Sequence, residues 1–134
     1  MNDLITLDQY SMGRDKLYPD EWTQDVQNNA IRLLKIVNAF LNELGIKEAI
    51  VSSGFRPAAI NGKITNAAKK SYHMIGLAVD IKDNDNQDLA NLIASNPDLL
   101  RKYNLWLESP AATKGWAHID LGSRMDRPSR VFNP

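Results

Sequence analysis

The 134-residue chain has no cysteine and only two histidines. Without cysteine there is no disulfide framework, no thiolate metal site and no cysteine nucleophile, so a metal could be held only by His, Asp or Glu. Net charge is absent too: sixteen Lys and Arg balance sixteen Asp and Glu. That balance argues against nucleic acid or an anionic membrane surface as the main partner. No run approaches the roughly 18 apolar residues of a spanning helix, so membrane insertion is not expected. Met1–Leu7 lacks the basic start and sustained apolar stretch of a secretory signal, and the expectation is synthesis in the cytoplasm without a signal peptide. What remains is ordinary for a globular protein, with 43% hydrophobic and 24% charged residues. One domain, residues 1–134, with one core is the expectation.

Residues 1–22 hold Tyr10, Met12, Leu17, Tyr18 and Trp22, too apolar for a free tail, and are expected to form an arm packed on the domain. From Thr23 to Leu44, the residues Ala30, Leu33, Leu34, Val37, Phe40, Leu41 and Leu44 recur at helical spacing. Thr23 suits the N-cap and Gly45 the stop. Ala49–Ser52 reads as a short strand running into the turn Ser53-Gly54-Phe55-Arg56-Pro57. Asn61–Tyr72 is a loop with three lysines that could lie over a site as a lid. Leu77–Ile81 reads as a strand, Leu89, Leu92 and Ile93 as a shorter helix, and Leu99-Leu100 as a helical turn beyond Pro97. Leu105–Glu108 and Trp116–Asp120 read as two strands joined by a loop. The tail from Ser123 is basic and irregular, with Val131-Phe132 as an anchor. The pattern is α+β, with a small antiparallel sheet and helices on one side.

Both histidines fall beside carboxylates. His73 precedes Asp80 by seven positions, across the step from loop to strand, and His118 lies two residues before Asp120 on one strand face. Gly76, free to adopt backbone angles closed to other residues, lets the loop fold back toward Asp80. Small Ala78 leaves room on the shared face, while Trp116 lies on the face of His118. Two His and one Asp with room for water form the ligand set of a catalytic zinc site. The plainer alternative makes His73 a loop residue and His118 a hydrogen-bonded strand residue.

The run Ser71-Tyr72-His73-Met74-Ile75-Gly76-Leu77-Ala78-Val79-Asp80 has the form Ser-x-His-x-x-Gly-x-Ala-x-Asp. It resembles the M15 zinc peptidases, which include D-alanyl-D-alanine carboxypeptidases and dipeptidases and phage L-alanyl-D-glutamate endopeptidases. Ser52-Ser53-Gly54-Phe55-Arg56-Pro57 is similar to an upstream block of that family, and Trp116-x-His118-x-Asp120 to the strand bearing its third ligand. The resemblance implies a Hedgehog/D-Ala-D-Ala peptidase-like fold with Zn²⁺ held by His73, Asp80 and His118. It also implies that Arg56 contacts substrate and stabilises negative charge, with Ser71 near the substrate carboxylate. An arginine fork suits either a carboxylate or a developing oxyanion. Arg56 as a solvated loop charge and Ser71 as a turn or cap are the competing readings. The implied substrate is a peptidoglycan stem peptide, cut by a monomeric hydrolase that reaches the wall after holin-mediated release.

One departure matters. Several relatives carry an acid three residues before the last ligand, where this chain has Gly115, and others have His-x-His, where it has Trp116. Glu108, in Glu108-Ser109-Pro110, is the best substitute for the general base. A hairpin between the last two strands would bring it beside His118. Asp120 is the runner-up, although support of His118 from behind suits it better. The missing acid keeps open a zinc-containing binding module without catalysis, as in Hedgehog signalling domains; a phage structural protein on the same fold is the other alternative, against which the intact His-Asp-His set argues.

Overall fold

A computed structural model describes residues 3–63 and 71–134. The expected lid spans Asn61–Tyr72, and its central part, residues 64–70, lies outside the described residues. The N-terminal arm forms two short helices, α1 (Leu7–Ser11) and α2 (Arg14–Leu17). Thr6 and Gln9 close a reciprocal capping box at the start of α1. Ile5 and Tyr10 are buried in the core, and the Tyr10 hydroxyl donates to the Ala78 carbonyl.

The long amphipathic segment is helix α3 (Gln24–Glu43), with the Thr23 hydroxyl accepting from the Val26 amide as the N-cap. Such a cap contributes about 1 kcal/mol. The buried stripe Val26, Ala30, Leu33, Leu34, Val37, Phe40 and Leu41 joins one core with Val79, Ile81, Leu107, Ala117 and Ile119. Each fully buried large apolar side chain contributes roughly 1.5–3 kcal/mol, so this layer fixes where the sheet sits.

That sheet has five strands: β1 (Val51–Ser53), β2 (Ala78–Lys82), β3 (Trp106–Glu108), β4 (Trp116–Asp120) and β5 (Val131–Phe132). Their order is β1-β2-β4-β3-β5. The α+β expectation holds. Pairing is antiparallel from β1 through β3, but β5 lies parallel to β3, so the sheet is mixed. The parallel edge arises because the tail after Asp120 crosses over before Val131-Phe132 returns alongside Leu107-Glu108. Two residues are too few to show a strand period in sequence.

Among the described residues three further α-helices follow: α4 (Ala58–Asn61), α5 (Asp88–Ala94) and α6 (Pro97–Lys102). Asp83 accepts from the amides of Leu89 and Ala90, tying off the start of α5. None of the helices among the described residues is long and apolar enough to cross a membrane.

Strand alternation divides the sheet. Val79, Ile81, Leu107, Ala117 and Ile119 point into the core. The opposite face therefore carries Ala78, Asp80, Trp106, Glu108, His118 and Asp120. Register places Asp80 opposite His118, while Asp120 faces Ala78 on one side and Trp106 on the other.

Candidate metal centre

His73 and Asp80 are seven positions apart, and local structure explains how they meet. Tyr72–Ile75 forms a single 3₁₀ turn, capped by Ser71, whose hydroxyl accepts from the His73 amide at 3.2 Å. Gly76 closes it at φ +79°, and a Cβ there would come 2.6 Å from the Val26 carbonyl oxygen of α3. Glycine is required on both counts. The chain then turns straight into β2, carrying Asp80 back beneath His73.

His73 is anchored from a second direction. Its Nδ1 donates to the Gly54 carbonyl at 2.8 Å, and its carbonyl accepts from the Arg56 amide at 3.1 Å. Gly54 lies against α1, where a Cβ would run into the Tyr10 carbonyl oxygen. With the proton on Nδ1, the lone pair sits on Nε2, which is buried and has no hydrogen-bond partner. That nitrogen lies 3.3 Å from Asp80 Oδ1.

His118 arrives across the sheet. Its Nδ1 is 2.8 Å from Asp80 Oδ1, and its Nε2 is 2.7 Å from Asp120 Oδ2. Asp120 is fully buried, and it accepts from the Gly122 amide and from both Nη atoms of Arg124, at 2.6 and 3.0 Å. Arg124 is in turn sandwiched: its guanidinium lies 3.5 Å from the Phe132 ring centroid and about 5.5 Å from those of Tyr72 and Trp106. Phe132 also meets the His118 ring edge-on, with centroids 5.8 Å apart.

The ligand atoms of His73, Asp80 and His118 all lie within 4.8 Å of one another, and all three residues are buried. This donor set fits a cation. A histidine whose Nε2–H is given to Asp120 points the lone pair of Nδ1 at the Asp80 carboxylate, an arrangement repulsive without a proton or a metal between them.

The electrostatics point the same way. Burial alone would push His118 down, but its hydrogen bonds to Asp120 and Asp80 prevail and raise it to about 9. His73 is held below its ordinary value by burial, against the pull of Asp80. Burial would raise Asp80 and Asp120, yet the surrounding cations and hydrogen bonds hold both below the usual carboxylate range. The two carboxylates thus favour positive charge on His118, which lies between them.

Arg56 stands at its rim, with Nη2 4.0 Å from Asp80 Oδ2 and a buried Nε that has no partner. Glu108 follows Leu107, which faces Ile119, so the next step in register sets Glu108 beside His118. It is half-buried, and its carboxyl is raised first by burial and then by Asp80 and Asp120, against His118 and Arg124. Trp116 lies farther out on the same face, opposite Lys82. The structure thus gathers His73, Asp80, His118, Asp120 and Arg56, sets Glu108 next to them, shows Ser71 as a cap, and leaves Trp116 outside the cluster. Sequence reasoning missed the Gly54 carbonyl, Arg124, Phe132 and Tyr72. Arg124 and Phe132 lie in the aperiodic tail, and a backbone carbonyl leaves no mark in sequence.

A family model described as Peptidase M15 matches residues 15–105, more than half of the chain. The chain belongs to the peptidase M15 family. A search of curated proteins finds no match. M15 peptidases are metal-dependent, and the His73, Asp80 and His118 group can hold the metal. As an M15 member the chain is a metallopeptidase acting on a peptide substrate. The matched M15 span includes Arg56, Ser71, His73 and Asp80 but ends before Glu108 and His118, so the case for those two rests on geometry.

Proposed function

We propose that this M15 peptidase is a zinc enzyme that hydrolyses peptidoglycan stem peptides, acting as a monomeric phage endolysin or carboxypeptidase-like wall hydrolase. The observation that carries the reading is the buried, unpartnered Nε2 of His73 aimed at Asp80 and His118. All three donors come from one chain, which supports a monomer. It would act on the wall after holin-mediated release.

His73, Asp80 and His118 would hold Zn²⁺, which when bound polarises the scissile carbonyl and acidifies water. The protein's own groups do the rest. Gly54 and Asp120 fix the two imidazoles through their non-ligating nitrogens, setting tautomer and ring direction. Glu108 takes the proton from the attacking water and returns it to the leaving amine; its raised affinity for protons suits a group that must do both. Arg56, unpartnered at Nε, stabilises the charge growing on the carbonyl oxygen or grips a substrate carboxylate. Ser71 holds the His73 turn and offers its hydroxyl to the substrate carboxylate. Trp116 walls the approach beyond His118.

The test adds purified protein to chloroform-treated Gram-negative cells, with and without chelator. Lysis abolished by chelator and restored by Zn²⁺ is expected, and mass spectrometry of the released muropeptides identifies the bond cut. Stoichiometric zinc with no action on any wall preparation would instead favour the non-catalytic binding module, for which Gly115 in place of an acid is the supporting feature.

A further inference from the structure

Strand β1 is out of step with its neighbour by one residue. Val51 pairs with Ile81 and Ser53 with Asp80, so β1 advances two residues while β2 advances one. The extra residue is Ser52, which is exposed. An unbroken ladder would set Ser52 opposite Asp80 and Ser53 opposite Val79, a core residue. The bulge instead brings Ser53 to the face that carries Asp80 and His118. Bulges beside functional sites re-aim single side chains in this way.

What the bulge delivers is a hydroxyl with nothing to bind. Ser53 Oγ is buried and has no hydrogen-bond partner, a state that costs about 1–3 kcal/mol. Residues directly opposite on antiparallel strands hold their Cβ atoms about 4.5–5.5 Å apart, which sets this hydroxyl beside the Asp80 carboxylate. The two oxygens of that carboxylate are unequally held. Oδ1 lies 2.8 Å from His118 Nδ1 and 3.3 Å from His73 Nε2. Oδ2 faces Arg56 Nη2 at 4.0 Å, beyond hydrogen-bond length. The Tyr10 hydroxyl, which also feels the Asp80 charge, is already given to the Ala78 carbonyl.

We propose that Ser53 is a positioning residue for the metal centre, its hydroxyl donating to Asp80 Oδ2 when Oδ1 is given to the ion. This rests on the metal-site reading and completes its support. The Gly54 carbonyl orients His73 and the Asp120 carboxylate orients His118, and Ser53 does the same for the third member of the set. A ligating carboxylate needs such an outer hydrogen bond, which fixes the oxygen it presents and the direction it points. Rotation of the serine side chain among its staggered rotamers is all the change required.

Two measurements on the full chain test this: Zn²⁺ affinity, by competition with a chromophoric chelator, and thermal unfolding in excess chelator. Ser53→Ala removes a hydroxyl that the metal-free fold does not use. Its metal-free Tm should therefore equal or exceed the wild-type value, while zinc affinity falls roughly tenfold. Ser53→Thr keeps a hydroxyl on a residue suited to strands and should retain most of the affinity. Ser52→Ala, at the exposed bulge position, should leave both measurements unchanged. Wild-type zinc affinity in Ser53→Ala overturns the proposal, as does an equal loss in Ser53→Thr or Ser52→Ala. A lower metal-free Tm in Ser53→Ala also overturns it, since the hydroxyl would then be a support of the strand alone. None of these readouts involves hydrolysis. A wild type that shows the expected zinc pattern but cuts no wall peptide keeps Ser53 in its role and fells the peptidoglycan reading, whereas a wild type that binds no zinc removes both.

Discussion

The Nε2 of His118 and the Oδ2 of Asp120 lie 2.7 Å apart although both belong to one strand and are only two residues apart. Side chains at i and i+2 share a strand face, so the strand carries a ligand and its own orienting carboxylate. Arg124 then fixes the carboxylate from the far side with two hydrogen bonds. Imidazole direction, ring tautomer and basicity are therefore set before any metal arrives.

Breaking that relay should weaken metal binding without unfolding the sheet. Asp120→Asn is expected to lower zinc affinity about 10–100-fold, and Arg124→Lys, which loses the bidentate fork, by less. His118→Ala should lose the metal outright. Competition against a chromophoric chelator measures all three; full occupancy in His118→Ala would contradict the ligand assignment.

Glu108→Gln separates chemistry from binding. Zinc affinity should stay near the wild-type value while turnover falls by roughly 10²-fold or more. Burial and the neighbouring carboxylates raise Glu108, and a base must be deprotonated to act. The acid limb of kcat/KM should therefore lie above the ordinary glutamate range, and the variant should lack it. Near-normal turnover would remove Glu108 from the mechanism.

Protonation of His118 gives the metal-free protein a distinctive pH dependence. Its pKa is raised from 6.5 to about 9 in the fold. The resulting stabilisation is fully present below about pH 6.5 and is lost as pH rises through about 9. Thermal unfolding in chelator should show a falling Tm across that window. Since zinc must displace that proton, its affinity should climb over the same range. A flat Tm between pH 6 and 10 would mean that His118 is neutral throughout.

Gly54→Ala tests the other histidine. A Cβ there collides with the Tyr10 backbone, so α1 or the loop must move, at a cost of about 1–3 kcal/mol. Because the Gly54 carbonyl orients His73, zinc affinity should fall together with the denaturation midpoint. A variant with normal affinity would show that the carbonyl is not needed to aim the ring.

Much of this was legible in the sequence because it is written in periods. Helix α3 follows its apolar spacing from the Thr23 cap onward, and β4 spans the residues its alternation suggests, Trp116–Asp120. The convergence of His73 and Asp80 was legible as a motif, with Gly76 as the residue that allows the reversal. The supports of the site were not. The Gly54 carbonyl is backbone, and Tyr10 reaches Ala78 across 68 residues of sequence. Arg124 and Phe132 come from a tail with no period: the parallel pairing of β5 brings Phe132 beside His118, and Asp120 holds Arg124. Long-range packing decided these positions, and single residues carry no record of it.

The cross-strand pair of Asp80 and His118 has a consequence for the chain as a whole. The two residues are 38 positions apart in sequence and face each other on β2 and β4, with His73 held above them. A metal bridging all three would join separate stretches of backbone as a covalent cross-link does, closing loops that the unfolded chain would otherwise explore freely. In a protein without a single cysteine, the catalytic ion would also be the molecule's rivet. Chelation should then loosen the middle of the sheet as well as silence the enzyme.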